Sequence, residues 1–277
     1  MTFEPEQLGR TRQDLAATLK DLRKRAGLSG DRLAARCNMS QSKVSRIENG
    51  KTRPSLVDVE QILRAADASP ALVAEVLELA RIAHTEWRSL RDLRRKGLGT
   101  RQAELKALEA SSTHMRYFLL SMVTGLLATP AYVRASLANV PADTRAAVAG
   151  KLERQAVLYD QSKTFHFLLT EQAVRWPVVE PLALAEQIDR LSSLSHLPNV
   201  HIGIIPVGTS TPVTPLSTFT IYDRSLVTIE TPTGSIVLRD HQDIQSYLDE
   251  FAGYEECALF GEEARELLSG WATVCRS

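Results

Sequence analysis

The chain has 277 residues, 44% hydrophobic and 24% charged, with no net charge. This length allows two domains and a large core, and the composition excludes a disordered or fibrous protein. The charge is unevenly distributed, since residues 1–100 hold 19 basic and 13 acidic side chains and residues 101–277 hold 14 and 20. A basic first part joined to an acidic second part indicates a nucleic-acid-binding domain fused to a domain with a different partner.

Membrane segments, disulfides and metal sites are not predicted. The chain lacks a run of about eighteen apolar residues and a signal-like start, so we expect a cytoplasmic, nucleoid-associated protein without membrane contact. Cys37, Cys257 and Cys275 are odd in number and far apart, with neither a CxxC pair nor clustered histidines beside them. This pattern argues against a disulfide framework or a zinc site. We predict no metal and no cofactor, and we interpret Cys37 as a small core residue rather than a redox group.

The first strong pattern is a helix-turn-helix over residues 30–49. Ala34 lies midway along a short first helix, where a larger side chain would push a second helix away. Asn38 follows at the expected turn, and asparagine tolerates the left-handed backbone of a sharp turn better than most residues. Ser40 then offers a hydroxyl that can cap the second helix. These positions predict two short helices joined by a tight turn.

The second helix has one apolar and one polar face. Val44 and Ile47, three residues apart, form a seam that can pack on the first helix. The opposite face carries short or basic hydrogen-bonding side chains that suit base edges and phosphates: Gln41, Ser42, Lys43, Ser45 and Arg46. A plain helical hairpin with a solvated polar face is the alternative interpretation of this pattern.

The flanking segments favour the DNA-binding interpretation. An apolar stripe of Leu15, Leu19 and Leu22 predicts a helix before the motif, and Gly50 can end the second helix. Ser55 and Asp58 form a capping-box pattern that opens a fourth helix. A fifth helix is predicted from Pro70 to about Arg81, which completes a five-helix domain over residues 1–82.

Residues 15–55 resemble the Cro/C1-type, or xenobiotic-response-element, DNA-binding domain, most specifically in the run SQSKVSRIENGKTRPS. The resemblance implies double-stranded DNA as a partner, with bases facing Gln41, Ser42 and Lys43. Phosphates would be held by Ser45, Arg46, Lys51 and Arg53. The family usually has glutamine where this chain has Gly30, so that contact is absent or supplied elsewhere.

Residues 83–100 predict a basic linker helix and a hinge. The basic run is followed by Gly97-Leu98-Gly99, and it consists of Arg88, Arg91, Arg94, Arg95 and Lys96. Two roles stay open for this run: it could extend the contact with the DNA backbone, or it could be a solvated helix between domains.

From residue 101 to 277 the pattern becomes mixed. Helices are predicted from residue 101, from Pro130 behind a capping Thr129, and over about 142–160, 181–195, 241–251 and 255–269. Alternating or short apolar runs predict strands over 163–169, 199–206, 217–222, 226–231 and 235–238. The fold class is therefore α+β: a five-helix Cro/C1-type domain followed by a mixed α/β domain with a small, largely antiparallel sheet.

The second domain also carries a resemblance. Segments 125–135, 154–158, 169–175 and 198–206 occur in the order seen in a domain of unknown function of actinomycete, antitoxin-like regulators of the WhiJ-like kind. The family's usual Pro-Gly-Leu-Leu-Gln-Thr-Pro is here Thr124–Pro130, without the first proline and the glutamine. The resemblance implies a transcriptional regulator whose second domain dimerises, senses a signal or docks a small protein encoded by a neighbouring gene.

Three functional hypotheses follow. A homodimeric regulator is expected first, because a single helix-turn-helix contacts only a half-site. A small-molecule sensor would need a pocket between the sheet and residues 122–132. An enzyme is the third, with His166 and His201 as possible neighbours on strands, Glu171 and Arg175 on one helix face, and residues 207–215 as a lid. Because no nucleophile elbow, phosphate loop or metal spacing accompanies these residues, we predict no catalytic residue and no enzyme.

Overall fold

The computed structural model describes residues 5–89, 98–140 and 143–277, with side chains at 13–80, 99–140 and 143–277. The chain divides into two compact units. One comprises Met1–Trp87 with Val237–Asp240, and the other comprises Arg88–Ile236 with His241–Ser277.

The first unit contains the predicted five helices. They are α1 (Pro5–Arg25), α2 (Gly30–Arg36), α3 (Gln41–Glu48), α4 (Leu56–Ala65) and α5 (Pro70–His84). The turn between α2 and α3 passes through Asn38, which has a φ of 52°. Gly50, with a φ of 63°, follows α3. The left-handed positions thus lie where the sequence predicted a turn and a helix end.

The helix caps of the first unit are local and confirm the sequence signals. The Ser40 side chain accepts a hydrogen bond from the backbone N–H of Lys43 at the start of α3. Ser55 and Asp58 form a complete capping box at the start of α4. Each cap satisfies backbone N–H groups that a helix cannot satisfy itself, so both helices begin at defined residues.

The core of the first unit is built from the apolar seams of its helices. Fully or almost fully buried side chains include Leu15, Leu19, Leu33, Val44, Ile47, Val59, Ile62 and Leu63. Cys37 belongs to the same cluster, is a free cysteine, and has its pKa raised by burial and by the nearby Asp58 charge. A buried, protonated thiol behaves as a small apolar residue, which confirms the predicted core position of Cys37.

The linker differs from the predicted helix. Helix α5 continues to His84, and the chain then forms a short strand, β1 (Thr85–Ser89). Threonine and tryptophan favour strand backbone, although the basic residues of the segment indicated a solvated helix. Residues 90–97, which hold most of the basic run, lie outside the described residues. The next helix, α6 (Leu98–Ser111), begins before Gly99, so this glycine is part of a helix and not of a hinge.

Among the residues that the structure describes, seven helices, one 3-10 turn and six strands follow β1. The helices are α6, α7 (Pro130–Ser136), α8 (Arg145–Arg154), α9 (Glu171–Arg175), α10 (Pro181–Leu194), α11 (His241–Glu256) and α12 (Gly261–Arg276), and the 3-10 turn is Gln155–Tyr159. The strands are β2 (His114–Leu119), β3 (Thr164–Thr170), β4 (Val200–Ile205), β5 (Phe219–Tyr222), β6 (Leu226–Thr231) and β7 (Gly234–Leu238). Thr129 caps α7 as predicted.

Strands β2 to β7 lie in the order β7-β6-β5-β2-β3-β4. Strands β5 and β6 pair antiparallel across a short turn in which Asp223 has a φ of 53°, so the hairpin prediction is confirmed here. Strands β2, β3 and β4 pair parallel, because each is joined to the next by helices that return the chain to the same edge. The domain is mixed as predicted, and its parallel half is a feature that the hairpin signals did not indicate.

A buried ion pair joins α6 to α8. The guanidinium of Arg154 donates two hydrogen bonds to the carboxylate of Glu109, one of 2.9 Å from Nε, and a third of 2.7 Å to Gln102 Oε1. Both charged side chains are almost fully buried. A buried charge is tolerated only when its partners remain in place, so this pair depends on the exact approach of the two helices.

Removing the Glu109 charge should therefore destabilise the second unit. We expect Glu109→Gln to lower the free energy of unfolding by about 3–5 kcal/mol, because Arg154 would be left buried without its counter-charge. Urea unfolding measured by circular dichroism gives the comparison. The matched control is Glu153→Gln, which removes the exposed Lys106–Glu153 pair between the same two helices and should change little. Equal effects of the two variants would contradict the role given to the buried pair.

Candidate nucleic-acid interface

Helix α3 has one buried face and one exposed face. Val44 and Ile47 are 1% and 0% exposed and pack into the core of the first unit. Gln41, Ser42 and Arg46 are exposed on the other side. Residues four apart lie on one face of a helix, so Ser42 and Arg46 form a row. The seam and the polar face predicted from the sequence are both present in the structure.

The start of α3 lies close to the start of α2. A Cβ atom at position 30 would lie 3.7 Å from Gln41 Nε2, so the Gln41 amide lies next to the position where the resembling family has glutamine. The Ser40 and Ser42 hydroxyls are 3.1 Å apart. Amide and hydroxyl groups therefore gather at the amino end of α3, where helix N–H groups also favour anions such as phosphate.

Lys43 points to the side of α3 that faces α4. Its Nζ donates a 2.7 Å hydrogen bond to Asp58 Oδ1. The other oxygen of the same carboxylate, Oδ2, accepts a hydrogen bond from the Ser55 backbone N–H in the capping box. The pair is partly buried. The sequence places Lys43 among the base-facing residues, whereas in the structure without DNA its ammonium group is bound by a carboxylate of the neighbouring helix.

The segment after α3 positions the remaining basic residues. The backbone N–H groups of Lys51 and Thr52 both donate to the Arg46 carbonyl, at 2.8 and 3.1 Å, which turns the chain back over the end of α3. Lys51 is exposed and Arg53 is half-buried. The Ser45 hydroxyl accepts a weak 3.4 Å contact from the Asn49 side-chain amide, and Ser45 is half-buried.

The end of α3 is held by an ion pair that the sequence did not predict. Arg23, in the last turn of α1, donates two hydrogen bonds of 2.6 and 2.9 Å to the Glu48 carboxylate and a third, of 2.7 Å, to the Leu28 carbonyl. Both charged side chains are largely buried. Arg23 and Glu48 are 25 residues apart in the sequence, so no local sequence pattern predicts this pair. The pair joins α1, the loop before α2 and α3 in one contact.

Residues considered for catalysis are placed as follows. His166 and His201 are neighbours on β3 and β4, with ring centroids 4.6 Å apart. Glu171 forms an ion pair with Arg175 on α9 and accepts a 3.0 Å hydrogen bond from the Val207 backbone N–H. This contact anchors the start of the segment proposed as a lid. In the described part of the chain, histidine, cysteine and acidic side chains form no group of three arranged to hold a metal ion.

The segment proposed to line a sensor pocket is tied to the body of the second unit. Gln155 donates hydrogen bonds of 2.8 Å to the carbonyls of Gly125 and Ala128. Gln187, which is completely buried, donates to the Leu127 carbonyl at 3.0 Å and accepts from the Thr129 N–H at 2.7 Å. Side-chain amides thus replace the regular backbone pairing that this loop lacks.

Comparison with protein families matches both units. Residues 14–76 match a family model described as a helix-turn-helix domain, and residues 102–270 match one described as a domain of unknown function, DUF5753. No curated protein matches the chain. Across the described residues, no helix is both long and apolar enough to cross a lipid bilayer.

Comparison with solved structures gives low similarity. Nuc, a phospholipase D family member from Salmonella typhimurium, is 12% identical over 58% of this chain and 90% of its own, with a TM-score of 0.33. NucT from Helicobacter pylori is 9% identical over 64% and 98%, with a TM-score of 0.39. TrmBL2, an archaeal chromatin protein, is 12% identical over 73% and 66%, with a TM-score of 0.33. Scores this low support no conclusion about the fold or activity of this chain.

The Lys43–Asp58 pair should make the first unit sensitive to acid. Burial raises the pKa of Asp58, but hydrogen bonds from Lys43 and Ser55 outweigh it and the net pKa lies below the ordinary 3.8. A carboxylate whose pKa is lower in the folded state stabilises the fold above its unfolded pKa, and this stabilisation is lost as the pH falls through the folded value.

We therefore expect Asp58→Asn to lower the stability of the first unit by about 1 kcal/mol at pH 6, and the difference from wild type to shrink below pH 3.8. Urea midpoints at pH 6 and pH 3 measure both effects. Glu60→Gln, which breaks an exposed pair with Arg64 on the same helix, is the control and should have little effect at either pH. An unchanged Asp58→Asn deficit at pH 3 would contradict the assignment.

Proposed function

Since the chain belongs to the family defined by the domain of unknown function DUF5753 and carries a helix-turn-helix domain, we propose that it is a sequence-specific DNA-binding transcriptional regulator. The observation that supports this most directly is α3, which is packed on one face by Val44 and Ile47 and exposes hydrogen-bonding groups on the other. An α-helix with its side chains is about 10–12 Å wide, which matches the major groove of B-DNA.

The proposed contacts follow from the exposure of each side chain. Gln41 and Ser42, at the exposed amino end of α3, are proposed to contact base edges. Arg46, exposed one turn further on, is proposed to hold phosphate together with Ser45, Lys51 and Arg53. Lys43 is proposed to contact a base as well, and to do so it must exchange the Asp58 carboxylate for an acceptor on DNA. Losing the hydrogen bond to Asp58 offsets part of the free energy gained on DNA. Lys43 therefore contributes to affinity only on DNA sequences that offer it an acceptor.

We further propose a homodimer of the xenobiotic-response-element type. One helix of the length of α3 spans only a few base pairs, and specific affinity in this class of protein comes from two half-sites on the same face of the duplex. Two identical subunits related by a two-fold axis would require a palindromic operator.

The second unit is proposed to control the first by binding a small partner protein encoded by a neighbouring gene, as in the antitoxin-like regulators that the chain resembles. Exposed apolar side chains favour a protein partner. Trp176 follows α9, while Val207 and Leu216 lie in the segment after β4, and these side chains are 52%, 74% and 85% exposed. A small-molecule sensor is the second candidate, and an enzyme with an attached DNA-binding domain is the third. The histidine pair on β3 and β4 is the observation that favours the sensor and the enzyme as alternatives.

The DNA contacts can be tested with an operator selected from random duplexes by the full chain. Gln41→Ala and Lys43→Ala should each relax preference at one base position, by about 1–3 kcal/mol for a direct contact. Arg53→Ala and Lys51→Ala should instead weaken binding to all duplexes alike and lower the salt dependence by about one counterion each. Fluorescence anisotropy at several salt concentrations separates the two behaviours.

The control for these variants is Arg64→Ala, which removes an exposed basic side chain on α4 without touching α3. Its affinity and salt dependence should equal those of the wild type. Failure of the selection to enrich any motif would overturn sequence-specific binding. Loss of base preference in Arg53→Ala would overturn the division between base and phosphate contacts.

Dimerisation has a separate test. Sedimentation of the full chain should give twice the chain mass of 30.6 kDa. The selected operator should contain inverted half-sites whose centres are about 34 Å, or a multiple of this distance, apart. A monomer that protects a single half-site would contradict the proposal while leaving DNA binding intact.

A further inference from the structure

Three neighbouring parallel strands carry polar side chains in one row. Arg116 on β2 is in register with His166 on β3, and His166 is in register with His201 on β4. Residues in register on adjacent strands point to the same face of a sheet and are about 4.8 Å apart. The row therefore places one guanidinium and two imidazoles side by side near the amino ends of the strands.

A carboxylate orients the central histidine. The Nδ1 atom of His166 lies 2.7 Å from Glu255 Oε1, near the end of α11. An ionised carboxylate only accepts hydrogen bonds, so Nδ1 carries the proton in this contact. The Nε2 atom of His166 is left for another partner. With the hydrogen on Nδ1, Nε2 can accept a hydrogen bond from a phosphate hydroxyl, and in the imidazolium form it can donate one to a phosphate oxygen.

The row is open to solvent. The side chains of His166 and Glu255 are 30% and 37% exposed, and His201 is exposed as well. Arg116 is half-buried, and within the described residues no carboxylate lies at ion-pair distance from its guanidinium. A half-buried guanidinium with no carboxylate beside it is available to form charge-assisted hydrogen bonds with an anion.

The surroundings of His201 change its pKa. Partial burial and the nearby His166 imidazole lower the pKa of His201, and the Glu255 carboxylate only partly offsets them. A lowered pKa favours the neutral His201 ring, which still offers one N–H donor to an anion, and Arg116 supplies the positive charge of the row.

We propose that Arg116, His166 and His201 bind a small anion of the phosphate class, as inorganic phosphate or a phosphate monoester, with Glu255 as the positioning residue for His166. The Arg116 guanidinium matches phosphate oxygens in charge and geometry, and imidazole nitrogens exchange hydrogen bonds with phosphate oxygens and hydroxyls. A metal ion is not the proposed ligand, because in the described part of the chain these side chains form no group arranged to hold one. The site lies in the second unit and does not require DNA binding by the first, so either proposal can fail while the other holds.

Isothermal titration calorimetry of the full chain with inorganic phosphate, at pH 7 and constant ionic strength, tests the site. Saturable binding of one phosphate per chain is expected. His201→Gln and Arg116→Gln should each weaken it at least tenfold. The matched controls, His196→Gln and Arg134→Gln, replace exposed side chains of the same types outside the row and should bind as the wild type does.

Several outcomes would overturn the proposal. These are the absence of saturable heat, equal losses in row and control variants, or displacement of phosphate from the row by duplex DNA, which would make a nucleic-acid backbone the occupant. His201 is exposed, so His201→Gln decides the question even if Arg116→Gln does not fold. Glu255→Gln should weaken phosphate binding less than His201→Gln does. It should also change how the imidazole NMR signals of His166 shift when phosphate is added. A purely structural contact between His166 and α11 would leave that response to phosphate unchanged.

Discussion

The eight-residue helix α3 can present a polar face to DNA only because its other sides are fixed by the rest of the first unit. A helix this short is not stable alone in water. Val44 and Ile47 bury its apolar seam, Ser40 caps its amino end and the Arg23–Glu48 pair fixes its last turn. The same contacts prevent the helix from rotating, so the identity of the exposed residues, and hence the DNA contacts we propose, depends on them.

The second unit is built around a sheet whose central strands carry packed side chains on both faces. Tyr117 stacks on Phe167 on one face, and Phe118 stacks on Tyr254 of α11 on the other. Parallel strands in such a position are normally apolar throughout. The polar row across β2, β3 and β4 departs from that rule without contributing to the core. Departures of this kind occur mainly where a protein binds or transforms something, which distinguishes the row from the fully satisfied Arg154–Glu109 pair.

Most helix boundaries could be predicted because their signals are local. The caps at Ser40, Ser55 and Thr129 act within three residues, and the turn at Asn38 depends on one backbone conformation. Strand β2 was missed because a short apolar run next to a helix does not distinguish strand from helix. The linker prediction was wrong at β1 because the basic residues of this segment indicate a solvated helix, whereas its threonine and tryptophan prefer strand backbone.

The sequence by itself determined the type and the beginning of most helices and strands, and which face of α3 is apolar, because these properties arise between residues at most four positions apart. Only the tertiary structure decided the partner of each charge. Lys43 binds Asp58 at a separation of 15 residues, and His166 binds Glu255 at a separation of 89. Such partners are brought together by helix packing and strand order. That packing depends on contacts throughout the core, and not on the residues next to either partner in the sequence.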